Sequence, residues 1–398
     1  MLRITRKCTL ASALLLGLSV PIGAAQAGGF SFQVLSNFNA SGLYANPYAG
    51  VIGDASGNLY GTTWNGDGDG DEDGNVFELA PDGTLTDLHD FMGGSDGSGA
   101  QNDLIMDASG NIYGTTWGQY DGAGDGNVFE IAADGTYSVL YSFAGGSDGS
   151  HPGAGPVMDQ SGNLYGTTYQ GGGGGCAGSG CGTVFKLAPD GTESVLHAFN
   201  GSDGENPLSR LIADASGNLY GTTVQGGTNS CGTVFRLAPD GSNFTTLFNF
   251  RSLRVKDGCY PNAGLVADTS GNLYGTTANG GAKNIGAVFK LAPDGTETVL
   301  HSFRKKGQLG DYPVAALTID AAGNLYGTTQ EGGAKKTNYG TVFEITAGGA
   351  FSVLHAFDGT DGSQPLADLY LDQSGDLFGT TSYGGEYNYG TVFELTPQ

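Results

Sequence analysis

One phrase recurs along the whole of this chain. Asn-Leu-Tyr-Gly-Thr-Thr, or a close variant of it, occurs seven times at a spacing of about 53 residues. A fixed period of this length indicates a repeat architecture, in which each copy forms one unit that packs against its neighbours. The copies begin at Asn58, Asn111, Asn163, Asn218, Asn272, Asn324 and Asp376.

Within one unit, short strands alternate with tight turns. In residues 207–250, the apolar run at 211–213 ends in an Asp-x-x-Gly-Asn turn, and residues 219–223 form a second strand rich in aromatic and β-branched residues. A glycine-rich loop leads to a third strand at 232–237, and a Pro-Asp-Gly turn leads to a fourth at 245–250. No segment after residue 27 has the apolar period of a helix. Each unit is therefore predicted to be a four-stranded antiparallel sheet.

The strand phrases are offset at the two ends of the chain. The first copy of the fourth strand, residues 33–38, precedes the first complete unit, and the sequence stops at Gln398 after a third strand. This offset predicts that the N-terminal strand completes the last unit and closes a ring. Seven four-stranded sheets around a channel form a β-propeller, whereas an open solenoid would need distinct caps. We therefore predict an all-β, seven-bladed propeller as a single domain over residues 28–398.

The order of motifs resembles a known family. Asp-x-x-Gly-Asn-Leu-Tyr-Gly-Thr-Thr, followed by Gly-Gly and by Gly-Thr-Val-Phe-Lys-Leu, is similar to the GloVer (Gloeo/Verruco) tandem repeats of exported bacterial proteins, over residues 30–398. The resemblance implies secretion and a propeller-like repeat fold. It brings no activity or catalytic residues.

The N-terminus and the charge indicate the compartment and the class of partner. Residues 1–27 have a basic start, a short apolar run and an Ala25-Gln26-Ala27 cleavage pattern, which predict a secretory signal peptide rather than a membrane anchor. The net charge of −24 disfavours nucleic acid and anionic membranes as partners and favours a soluble monomer. We expect a secreted protein, extracellular or periplasmic, whose partner is a carbohydrate or a protein.

Four of the five cysteines follow the signal peptide. An even number in an exported chain favours two disulfides, which could connect in three ways. Cys176 and Cys181 flank four residues of one loop, whereas Cys231 and Cys259 lie in blade four and in the segment that leads into blade five. These positions predict the pairs Cys176–Cys181 and Cys231–Cys259.

The connections between strands form two sets. The two tight turns join strands one to two and three to four, so both lie on one face of the ring, the turn face. Loops from strand two to three and from one blade to the next lie on the other face, and they differ in length and content. Binding residues usually lie on such variable loops, so we expect the site on this variable-loop face.

The second loop of blade one is acidic. Asp67, Asp69, Asp71 and Asp73 alternate with other residues, as the oxygen ligands of a calcium loop do. However, Ala80 stands where an EF-hand loop has its bidentate Glu, and strands flank the segment. Calcium binding and a solvated acidic loop both remain open.

Aromatic residues follow the second Thr of the phrase in only three blades. They are Trp64, Trp117 and Tyr169, and the other four blades have Val224, Ala278, Gln330 and Ser382. Flat rings beside carboxylates suit stacking on sugars. The alternative is that these rings fill gaps between blades.

The position four residues before each first-turn Asp should line the mouth of the channel. Four blades have Gly or Ala there, and three have Asp103, Arg210 and Asp368. These charges could form a binding or acid–base constellation, or a salt-bridge plug. His151 is the fourth catalytic candidate, because the other histidines of the repeats share one place in the fourth strand.

These features favour a secreted binding module that recognises a carbohydrate or a protein through the variable-loop face. The alternative is a secreted polysaccharide lyase or glycoside hydrolase with its site at the channel mouth. A coat or adhesion role is a third possibility. No complete catalytic arrangement is visible, so the sequence leaves enzymatic activity open.

Overall fold

The computed structural model describes residues 29–39, 46–64, 73–118, 124–173, 175–251, 257–304, 309–333 and 338–398. Within these ranges the regular structure is almost entirely strand, with two short 3₁₀ helices at Cys176–Gly178 and Gly281–Lys283. None of the described helices has the length and apolar character that a membrane crossing requires. The predicted signal peptide lies outside the described residues.

The strands form seven antiparallel sheets, and in six of them the four repeated strands follow sequence order from the channel outwards, whereas in blade seven the N-terminal strand is the outer one. The first strands are Ile52–Gly53, Ile105–Met106, Val157–Met158, Ile212–Ala213, Val266–Ala267, Thr318–Ile319 and Tyr370–Leu371. The second strands are Leu59–Thr63, Ile112–Thr116, Leu164–Gln170, Leu219–Thr223, Leu273–Thr277, Leu325–Thr329 and Leu377–Thr381. The third strands are Asn75–Leu79, Asn127–Ile131, Thr183–Leu187, Thr233–Leu237, Ala287–Leu291, Thr341–Ile345 and Thr391–Pro397. The fourth strands are Leu85–Asp90, Tyr137–Ser142, Glu193–Ala198, Thr245–Asn249, Glu297–Ser302, Phe351–Ala356 and Phe30–Asn37, and Ser150–Pro152 is an extra strand in blade three.

The N-terminal strand closes the ring. Phe30–Asn37 pairs antiparallel with Thr391–Pro397 and so forms the outer strand of blade seven. The predicted all-β, seven-bladed propeller with this closure is confirmed. The closing strand begins three residues earlier than the repeat phrase predicts, because Phe30 and Phe32 also pack against the core between blades six and seven.

The hydrophobic core consists of seven clusters, one at each interface between neighbouring blades. Adjacent residues of a third strand point to opposite sides of the sheet. Val76 therefore packs with Phe129 of blade two, and Phe77 packs with Val392 of blade seven. The third-strand phenylalanines are all fully buried: Phe77, Phe129, Phe185, Phe235, Phe289, Phe343 and Phe393.

The repeated phrase has structural roles. Gly61 lies opposite Phe77 in the same sheet, where a Cβ would come within 2.6 Å of the phenylalanine Cζ. The glycine therefore makes room for a ring within its own blade. The hydroxyl of Thr62 donates to the carbonyl of Asn102 at 3.2 Å, which ties blade one to blade two, and the equivalent Thr of every blade does the same.

The aspartates of the first turn also act structurally. Asp54 accepts hydrogen bonds from the backbone amides of Ser56 and Asn58, from the Asn58 side chain and from the Tyr60 hydroxyl. These bonds hold the tight turn that joins the first two strands. The turn face is therefore uniform because its residues hold the turns.

Candidate functional site

The charged residues predicted at the channel mouth do meet in the structure. Asp103 and Asp368 belong to blades two and seven and lie on either side of Gly50 in blade one. The amide of Gly50 donates to Asp103 Oδ1 at 3.2 Å, and a Cβ on Gly50 would come within 2.7 Å of Asp368 Oδ1. Arg210 comes from blade four, and its Nη2 lies 3.7 Å from Asp368 Oδ2. We call these three charged residues the channel triad.

The two carboxyl groups of the triad influence each other. Burial in the channel and the negative charge of Asp103 raise the pKa of Asp368 to about 7, although Arg210 opposes the shift. The two carboxyl groups lie on either side of Gly50, so the charge of Asp103 acts directly on Asp368. Asp368 is therefore expected to keep its proton to a higher pH than an ordinary aspartate.

The triad divides the channel into two cavities, since all three residues line both. On the side of the variable-loop face, a cavity of about 130 Å³ is bordered by residues that precede the first strands, among them Tyr48 and Asn102. On the side of the turn face, a cavity of about 330 Å³ is bordered by first strands of blades one, six and seven. The larger space thus lies on the side where the sequence predicts no site.

The three predicted aromatics differ in exposure. Trp117 is only 9% exposed, and its ring contacts His151 at a centroid distance of 5.2 Å and Tyr169 at 5.4 Å. Trp64 and Tyr169 are half-buried, and Trp64 lies 5.7 Å from the ring of Tyr48. Trp117 therefore fills a gap between blades. Trp64 and Tyr169 keep part of their surface exposed to solvent.

The residue that lies over Trp117 comes from the next blade and occupies a repeated position. It has a positive φ and in six of the seven blades precedes a proline, as His151 does at 57° before Pro152. In blade two this place is taken by Gly99, which precedes Ala100 and has no side chain to lie over Trp64. In blade three it is taken by His151, which covers Trp117. The full set is Asn46, Gly99, His151, Asn206, Tyr260, Tyr312 and Gln364.

His151 thus occupies a repeated backbone position, which the comparison of histidines alone missed. Burial lowers the pKa of its imidazole, and the nearby carboxylate of Asp125 opposes this shift. It contacts Trp117 and does not line either cavity at the triad. Aligning the repeats on the proline would have found this position, and with it the half-buried Tyr48, Tyr260 and Tyr312 on the same face.

The acidic loop can be followed only in part. Asp67, Asp69 and Asp71 lie outside the described residues. The carbonyl of Asp73 accepts a hydrogen bond from the Gly99 amide at 3.1 Å, which ties the end of the loop to blade two. Among the described residues, no three His, Cys, Asp or Glu side chains form a group that could hold a metal ion.

The structure confirms the predicted disulfides. Cys176 pairs with Cys181 inside one loop, and Cys231 pairs with Cys259 across blades four and five. All four residues lie on the variable-loop side of their blades. Two disulfides are typical of an exported protein.

Comparisons with known proteins identify the repeat and the fold. The model of the Gloeobacter/Verrucomicrobia repeat family matches residues 24–213, 119–318 and 213–398, as the motif resemblance predicts. None of the curated proteins matches the chain in sequence.

Solved structures with the same fold are distant in sequence. An extracellular domain assigned to a hybrid two-component system of B. thetaiotaomicron is 10% identical with a TM-score of 0.57; the match covers 92% of this chain and 40% of that one. The chain thus spans 40% of that protein's length. An oligogalacturonate lyase in complex with manganese is 12% identical with a TM-score of 0.56, and 94% of each chain is covered. These likenesses establish the propeller fold alone.

Proposed function

We propose a function on the premise that the chain belongs to the Gloeobacter/Verrucomicrobia repeat family, whose model matches almost its entire length. The protein is an exported binding module that recognises an extracellular ligand, a carbohydrate or a protein, through its variable-loop face. The observation that carries this proposal is the break in seven-fold symmetry on that face. Partly exposed rings of Trp64, Tyr48 and Tyr169 stand in blades one and three, and Tyr48 borders the mouth of the charged channel.

The residue types favour a carbohydrate as the ligand. Aromatic rings offer flat apolar surfaces at low entropic cost, and the carboxylates and the guanidinium of the channel triad offer acceptors and donors for hydroxyl groups. The equivalent positions of the other four blades have no aromatic residue. The binding surface would therefore occupy one side of the ring, centred on blades one to three.

The alternative is a carbohydrate-active enzyme, and one observation favours it. A carboxyl group with a pKa of about 7, as Asp368 has, can hold a proton at neutral pH and act as a general acid. However, the charges of Asp103 and of Arg210 both act on Asp368, whereas glycosidases hold their two carboxyl groups about 5–10 Å apart with room for the sugar and water. Arg210 occupies a further side of Asp368. Binding is therefore the better supported function.

A glycan array with matched variants tests the proposal. Trp64→Ala should weaken binding of the preferred glycan about tenfold or more, because a stacked ring contributes roughly 1–2 kcal/mol. Gln330→Ala changes the same position in blade six and should have no effect. Equal binding by both variants would contradict the aromatic platform.

The array and a thermal-unfolding experiment are also run in a buffer with calcium and in a buffer with a chelator. We propose that the loop with Asp67, Asp69, Asp71 and Asp73 binds calcium, and calcium should then raise the melting temperature. Equal melting temperatures in the two buffers would exclude a calcium contribution from this loop.

A further inference from the structure

We infer that the larger channel cavity, on the turn-face side of the channel triad, binds a small amphipathic cation, a primary ammonium group on an apolar chain. This site shares the channel triad with the proposed variable-loop surface, but its apolar walls lie on the opposite side of the triad and do not depend on that surface. The cavity of about 330 Å³ lies within the size range of small-molecule sites, which are mainly apolar with a few convergent polar groups.

The walls of this cavity suit an apolar chain. They are contributed by first strands of blades one, six and seven, with one further residue from blade five. The apolar residues on this border are Ile52, Ile319 and Leu371, which are partly exposed, together with the buried Val51, Leu317 and Leu369. A hydrocarbon chain that leaves water for these walls gains roughly 0.8 kcal/mol for each buried methylene group.

The charged end of the cavity suits a cation. Asp103 and Asp368 supply two carboxyl groups, and Arg210 supplies one guanidinium. When both carboxyl groups are ionised, one negative charge is left without a counter-charge among the groups that line the cavity, because Tyr370 is the only other titratable residue there. A primary ammonium group brings one positive charge and three donors, so it can bond both carboxylates at once. A carboxylate ligand would meet a net negative charge.

Because Gly50 has no side chain, the two carboxyl groups can bind the same ammonium group. With no side chain between them, Asp103 and Asp368 approach each other from the two neighbouring blades. The cavity on the other side of the triad is smaller, about 130 Å³, which is below the size range of small-molecule sites. The larger cavity is therefore the better site for the chain of the ligand.

Binding of the cation should depend on pH. The ammonium group favours ionised Asp368, whose pKa in the free protein is about 7 under the influence of burial, Asp103 and the opposing Arg210. Below pH 7 the carboxyl group must lose its proton on binding. The affinity should therefore fall by up to about tenfold for each pH unit below 7 and level off above it.

Calorimetry with n-hexylammonium at pH 8 tests the inference, with hexanol and hexanoate as probes of the same chain length. Hexylammonium should bind at least about tenfold more tightly than either control probe. Asp103→Asn should weaken its binding by a similar factor, whereas Arg210→Gln should strengthen it, because the variant removes the competing positive charge. Opposite effects of these two variants are not expected from loss of structure, and circular dichroism checks the fold of each.

Two further variants locate the ligand along the channel. Ile319→Phe narrows the turn-face cavity and should abolish binding, whereas Ala316→Phe narrows the mouth cavity and should leave binding within about twofold. Trp64→Ala should not change hexylammonium binding, so failure of the glycan proposal and failure of this one can be told apart. Equal binding of hexylammonium and hexanol, or a loss only with Ala316→Phe, would overturn the inference.

Discussion

The outer edge of the ring and the channel differ in how far the blades repeat one another. At the outer edge, four histidines of the fourth strands stack on an aromatic ring of the next blade, as His355 does on Phe32 at a centroid distance of 3.6 Å. In the channel, three of seven equivalent positions carry a charge and the others are Gly or Ala. The residues at the outer edge repeat because they form the contact between neighbouring blades. The channel residues are not needed for that contact.

Three blades lack this histidine, with Tyr141, Phe248 and Ser36 in its place. Tyr141 and Phe248 take the place of the histidine in blades two and four, and the facing residues in the next blades are then Glu193 and Glu297 rather than aromatics. Residues on the two sides of the interface thus change together. Changes at the edge should therefore act on stability, and changes in the channel should act on binding.

The largest effect on stability is expected for a core residue of the repeat. Phe343→Ala should lower the free energy of unfolding by about 3–5 kcal/mol, because the ring is fully buried between blades five and six. Urea denaturation measures the change. Met92→Ala, at a side chain that is 80% exposed, should stay within about 0.5 kcal/mol. Similar losses for both variants would mean that the blade interfaces do not govern unfolding.

The second prediction concerns the two disulfides. Replacing Cys231 and Cys259 together by Ala should destabilise the protein by about 3–4 kcal/mol, since 28 residues separate the two cysteines. The same change at Cys176 and Cys181, which are 5 residues apart, should remove only roughly 2 kcal/mol. Thermal unfolding of both double variants, without a reducing agent, compares them. A larger loss for the shorter loop would contradict the loop-entropy argument.

The sequence predicts the repeated part of this molecule well. Because each blade has the same contacts, seven copies of one phrase predict the strands, the turns and the closure by an N-terminal strand, although at residues 33–38 rather than Phe30–Asn37. The exposure of individual site residues could not be predicted in the same way. Trp64 and Trp117 have the same place in their blades, yet they differ in burial because Gly99 and His151 lie over them from the next blade. Nor does the strand pattern specify the channel width on each side of the triad, which depends on the inclination of the first strands.

A third prediction exploits an incomplete contact at the edge. His355 pairs with Asp361 at 2.8 Å, but in blade five the equivalent position of the acidic residue is Leu309. The buried Nε2 of His301 accordingly has no hydrogen-bond partner among the described residues. Burial, with Arg304 nearby, lowers the pKa of His301 to about 4. The folded state therefore binds this proton less readily than the unfolded state does.

Stability should accordingly fall as the pH drops from about 6.5 to 4. The loss assigned to His301 is about 1–2 kcal/mol, less than the full pKa difference would give, because solvent screens the half-buried ring. Leu309→Asp should raise the pKa of His301 and reduce the loss, and Leu309→Asn is the neutral control. The midpoints of urea denaturation at pH 7 and pH 4.5 measure this loss of stability. Equal acid sensitivity of the two variants would show that the missing carboxylate is not the cause.

The smallest effect on stability is expected in the channel, and its sign is opposite. The folded-state pKa of Asp368 lies above its unfolded value, so this carboxyl group makes the protein less stable as the pH rises from about 4 to 7. Asp103→Asn removes the neighbouring charge, and its side-chain oxygen can still accept the hydrogen bond from Gly50. The variant should therefore be about 1 kcal/mol more stable than the natural protein at pH 8 and nearly equal to it at pH 5. Urea denaturation at both pH values measures the difference. A loss of stability at pH 8 would instead place the channel triad among the residues that hold the ring together, and the contrast between edge and channel would fail.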